Sequence, residues 1–91
     1  MKTNLSQDWQ EIRKEIYSEE ENAASDLRVA IIGEIIQARE SADLSQMSLS
    51  KLSGVKQPVI ARMEIGSSDP RLSTMLKILA PLGKTLKVVD L

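Results

Sequence analysis

Side chains able to do covalent or acid–base chemistry are scarce in these 91 residues. There is no Cys, so neither a thiolate nucleophile nor a disulfide framework is available. There is no His, the commonest general base and zinc ligand. Catalysis would fall to Asp, Glu or Lys, and no paired-carboxylate motif stands out. Asp8, Glu11 and Glu15 read as one solvated face of a helix. No glycine-rich phosphate loop is present. The chain is therefore not expected to be an enzyme, and neither catalytic residues nor a metal or cofactor are expected. What remains is hydrogen bonding and fixed positive charge, concentrated in the stretch LSQMSLSKLSGVKQPVIARMEIG, residues 44–66. That stretch is either two ordinary core helices or a device for reading DNA.

The elements around it follow from periodicity and punctuation. A first helix starts after Asn4 or Ser6, both good N-caps, and runs to about Glu21. Leu5, Trp9, Ile12 and Ile16 form its single apolar stripe. Glu19, Glu20 and Glu21 crowd its C-terminal end, where the macrodipole disfavours them. A break at residues 22–25 precedes a second helix over residues 26–41. Leu27, Ile31, Ile35 and Ala38 make one face of it, and Val29, Ile32 and Ile36 another. Such a helix is covered on more than one side: by the core, and by the first helix, a subunit or a partner. Gly33 in its middle permits close approach of another element. After a turn at Asp43 and Leu44, Ser45 caps a helix over residues 46–53. Gly54 makes the turn, Val55 is a buried anchor, and Pro58 suits the first turn of a helix over residues 57–64. A loop over residues 66–70 leads to an amphipathic helix over residues 71–80, with Leu72, Met75, Leu76 and Leu79 inward. Pro81 and Gly83 end it. The tail TLKVVDL has the composition of a short strand. A lone strand is unstable, so it should pair with another, most simply the same segment of a second subunit; otherwise the tail is frayed.

Composition bounds the whole. The chain is 42% hydrophobic and only 2% aromatic, so its core is aliphatic. A chain this short buries only about 60–65% of its unfolded surface, and dimerisation is a natural supplement. No apolar run approaches the ~18 residues of a membrane span, and no signal core opens the chain, so a cytoplasmic protein is expected. The net charge of −1 hides an asymmetry. Residues 1–26 carry three basic and seven acidic side chains, a net −4; residues 27–91 carry nine and six, a net +3. An acidic arm on a mildly basic domain points to two different partners.

Two short helices joined by a tight glycine turn make a helix-turn-helix. Ser50 supplies the small residue where the helices cross, and Gly54 the positive φ. Leu49, Val55, Ile60 and Met63 supply the buried inner face. On these residues the segment 31–83 resembles the Cro/C1-type (XRE) domain of the lambda-like phage repressors. The resemblance implies an all-α, lambda-repressor-like helical bundle. Its parts here are an acidic helical arm (1–25), the DNA-binding domain (26–84) and a short C-terminal strand or tail (85–91). The order of arm, long apolar helix, XRE core and strand also resembles HigA-type antitoxins, the partners of RelE/HigB-like ribonuclease toxins.

The resemblance carries roles to individual residues. In relatives a Gln at the place of Gln46 bonds a phosphate and buttresses the recognition helix. Gln57, opening that helix, is placed to bond adenine N6 and N7. Lys56 stands where Ser or Thr is common, exchanging a cap for a phosphate or guanine contact. Pro58 replaces a frequent polar reader and offers only apolar contact, and Ala61 lies on the exposed side one turn on. Arg62 reaches guanine or a phosphate, and Ser67, Ser68 and Arg71 grip the backbone. Arg39 and Glu64 form a structural ion pair. A homodimer spaces two recognition helices roughly 34 Å apart, to read a palindromic operator. The toxin contact falls to the arm, at Leu5, Trp9, Ile12, Glu15, Ile16 and Glu19. The rivals are a free-standing XRE repressor and an adaptor that has lost DNA binding.

Overall fold

A computed structural model describes Glu11 and residues 18–91 of the chain. It is all-helical over the described residues, in the order α1 (Glu19–Ser41), α2 (Gln46–Ser53), α3 (Gln57–Glu64), α4 (Leu72–Leu79) and a 3₁₀ turn (Ala80–Leu82). The chain divides into two compact units, residues 1–30 and 31–91.

In the first unit, Ser18 precedes the start of α1. Its Oγ accepts from the Glu21 N–H at 3.1 Å, and its carbonyl accepts from the Asn22 N–H at 3.0 Å. This corrects two expectations. No break occurs at residues 22–25, because Ala23 and Ala24, the best of helix formers, carry the helix through. Glu19, Glu20 and Glu21 sit in the first turn of α1, where the helix dipole favours them, and not at the unfavourable end of a preceding helix. Leu27 and Val29 are exposed.

The second unit holds the core: Ile32, Ile35, Leu49, Val55, Ile60, Met63, Ile78 and Leu79. Ile32 and Ile35, one from each expected face of α1, are both buried there, with Ile31 and Ile36 packed beside them. Gly33 serves no close approach among the described residues, since a Cβ built on it meets nothing within 4 Å. After α1 the chain turns at Asp43, which takes φ 56°. Such left-handed values are tolerated by Asp better than by most residues. Ser45 then caps α2, its Oγ accepting from the Ser48 N–H at 3.0 Å. Gly54 closes α2 with φ 76°, and its N–H donates to the Ser50 carbonyl at 2.9 Å. A side chain there would strain the left-handed backbone. Met63, Ile60 and Leu49, buried completely, lock α2 against α3.

The C-terminal part differs from expectation in two places. Arg71 is the N-cap of α4 and not its first residue. The helix buries Ile78 and Leu79 and leaves Leu72 and Leu76 exposed, so its inward face is turned from the Leu72–Met75–Leu76–Leu79 stripe. The tail forms no strand: residues 84–91 have no regular structure. A strand needs another backbone to complete its ladder, and the described residues offer none. Leu86 still packs on the core, while Val88, Val89 and Leu91 are exposed.

Candidate nucleic-acid interface

Four side chains from three helices form one hydrogen-bonded chain. Arg39 comes from the last turn of α1 and Glu64 is the last residue of α3. Gln46 and Gln57 are the first residues of α2 and α3. Arg39 Nε donates to Glu64 Oε2 at 2.8 Å, and Arg39 Nη2 to Glu64 Oε1 at 2.9 Å. Arg39 Nη1 donates to the Leu44 carbonyl at 2.8 Å, which fixes the guanidinium on both edges. The Gln46 amide donates to Glu64 Oε1 at 3.0 Å, and the Gln57 amide donates to Gln46 Oε1 at 2.9 Å.

The pair is sheltered, with the Arg39 and Glu64 side chains 13% and 7% exposed. The hydrogen bonds to Glu64 hold the Arg39 guanidinium above its ordinary pKa, against the opposing effect of burial; the Glu64 and Glu40 charges add to the rise. Glu40 lies 4.0 Å away on the exposed side. No buried side-chain polar atom among the described residues lacks a partner. The network therefore braces the starts of α2 and α3 without leaving a polar group stranded.

The other residues singled out by sequence are distributed around α3. Lys56 is its exposed N-cap and makes no side-chain capping bond. Pro58 lies exposed in the first turn, Ala61 is half-buried, and Arg62 is exposed in the last turn. Ser67 folds back on α3, its N–H and Oγ both donating to the Arg62 carbonyl, at 3.0 and 3.2 Å. Ser68 is half-buried, and Arg71 is exposed at the start of α4. Glu19 is exposed in the first turn of α1, whereas Leu5, Trp9, Ile12, Glu15 and Ile16 lie outside the described residues. Sequence reasoning missed the bond from Gln46 to Glu64 and the carbonyl grip on Arg39. Their only sequence signal is that Gln46 and Gln57 each open one helix of the pair. Among the described residues no acidic cluster is arranged to hold a metal, and no helix is long and apolar enough to cross a membrane.

The chain is similar to known proteins. The helix-turn-helix family pattern matches residues 35–89. An uncharacterized HTH-type transcriptional regulator of Haemophilus influenzae is 53% identical over 87 residues, covering 96% of this chain and 89% of the relative. Antitoxin HigA1 of Mycobacterium tuberculosis is 34% identical over 59 residues, 65% of this chain but only 40% of the antitoxin. A chain in a solved toxin–antitoxin module from Streptococcus pneumoniae is 52% identical, with a TM-score of 0.74, covering 100% of this chain and 97% of that one.

Proposed function

The chain belongs to the helix-turn-helix family, and from that premise we propose that it is an antitoxin that also represses its own operon. The observation that carries this reading is the similarity, over its whole length, to a chain of a toxin–antitoxin module. Two copies present two α3 helices to successive major-groove faces of a palindromic operator, roughly 34 Å apart. Gln57, steadied by Gln46, reads adenine, and Arg62 and Lys56 contact guanine or phosphate. Gln46, Ser67, Ser68 and Arg71 hold the backbone, with Pro58 and Ala61 in apolar contact. The overall acidity is no obstacle, because binding follows the local field of the docked face. Leu5, Trp9, Ile12, Ile16, Glu15 and Glu19 form the contact with a basic RelE/HigB-like ribonuclease toxin. Trp is a residue type enriched at binding hot spots. The toxin's RNA-binding surface is occluded or displaced in the complex.

The test expresses the chain with its neighbouring reading frame and asks two questions. A small basic protein should co-purify with it; its absence favours a free-standing repressor. The purified chain should retard DNA from its own promoter, and Gln57→Ala and Arg62→Ala should each weaken that binding about tenfold. No retardation by the unaltered chain favours an adaptor.

A further inference from the structure

Glu64 ends α3, at the opposite end of the helix from Gln57, yet one intervening side chain connects them. An ionised carboxylate can only accept hydrogen bonds. Glu64 accepts two from Arg39 and one from Gln46, so Gln46 must turn its NH₂ toward Glu64. An amide carries its oxygen and nitrogen on opposite arms of one plane. The Gln46 oxygen therefore faces Gln57, and Gln57 must answer it with its own NH₂. This leaves Gln57 with one free N–H and a free carbonyl oxygen. Adenine in the major groove asks for that combination, a donor to N7 and an acceptor for N6–H. Were the relay reversed, Gln57 would keep both N–H groups free and use its oxygen on Gln46. That donor-rich end suits the N7 and O6 acceptors of guanine instead.

We propose that Glu64 is a positioning residue that selects adenine over guanine by fixing the amide polarity of Gln46 and Gln57. The proposal rests on the DNA-reading function above. Arg39 makes the device rigid: its guanidinium holds both carboxylate oxygens while its third nitrogen is anchored on the Leu44 carbonyl. Glu64 touches no base. Its influence passes through two amides, and its acceptor-only character is what the relay transmits.

The test selects duplexes from a randomised pool with the full chain. The Gln57 base is identified as the position whose preference Gln57→Ala abolishes. Glu64→Gln can donate as well as accept, so both relay polarities become accessible. The adenine-over-guanine preference at that base should fall about tenfold, with preferences elsewhere retained. Gln46→Met removes the relay without touching the ion pair and should relax the same position. Arg39→Lys keeps the carboxylate and should lower the melting temperature while preserving the preference. Side-chain amide resonances of Gln46 and Gln57 in the free protein give a readout independent of DNA. The hydrogen-bonded N–H of each amide should be protected from exchange and distinct from its free neighbour in the unaltered chain, and the two averaged in Glu64→Gln. A uniform loss of affinity in Glu64→Gln and Gln46→Met, with base preference intact, would mean a purely structural role and overturns the proposal. If the unaltered chain binds no DNA, the repressor function fails. The amide resonances then decide the relay separately, averaging in Glu64→Gln supporting it and unchanged resonances overturning it.

Discussion

All three guanidinium nitrogens of Arg39 donate within the fold, two to Glu64 and one to Leu44. An exposed ion pair is worth at most ~1 kcal/mol, but this one is sheltered and bidentate. Removing the guanidinium leaves a carboxylate and a backbone carbonyl short of donors. Arg39→Met should therefore lower the unfolding free energy by about 2–4 kcal/mol. The readout is a lower urea midpoint at unchanged slope. A shift equivalent to less than about 0.5 kcal/mol would place the pair in water and sink the argument. At this scale the sequence was partly legible. Resemblance to relatives named Arg39 with Glu64 and gave Gln46 a bracing role. The bond from Gln46 to Glu64 had no such pointer.

At the scale of elements, capping decides more than stripe counting. Ser45 and Gly54 delimit α2 by local hydrogen bonds, and both were legible because the partners lie within four residues. Ser18 does the same for α1, with Glu21 three positions on in a capping-box pattern. Taking the three glutamates as the end of one helix concealed them as the beginning of another. Lys56, like Arg71 at the start of α4, is an N-cap whose side chain makes no capping bond. Lys56→Thr should stabilise the fold by about 0.5–1 kcal/mol in thermal unfolding, since Thr is a preferred N-cap whose hydroxyl can share the Val59 N–H that now reaches only the Lys56 carbonyl. The same variant should weaken DNA binding. A variant that gained neither stability nor lost affinity would contradict both assignments.

The whole molecule concentrates its mild positive balance in residues 27–91. On a DNA-bound dimer each phosphate contact releases counterions, so affinity should fall steeply with salt. In the proposed symmetric dimer, Lys56→Met acts twice. It should flatten the plot of log affinity against log salt by about two, with base preference unchanged. An unchanged slope would remove Lys56 from the phosphate contacts, and a changed preference would move it to a base.

The helix-turn-helix was determined by sequence alone because its defining features are local. Gly54 adopts a positive φ, and Leu49, Val55, Ile60 and Met63 sit within fifteen residues at spacings compatible with burial between two crossed helices. The absence of Cys and His likewise needed no structure. Tertiary structure decided what depends on competition or on distant partners. Continuous α1 won over a break because strong helix formers outweighed the possible caps at residues 22–25. Ile78 won the inward place on α4, and Leu72 and Leu76 lost it. The tail's β-forming composition produced no strand in the described chain, since composition cannot supply a ladder partner. The order of donors and acceptors from Arg39 to Gln57 emerges only when four ends of three helices are linked, because it depends on which atoms face each other across the fold.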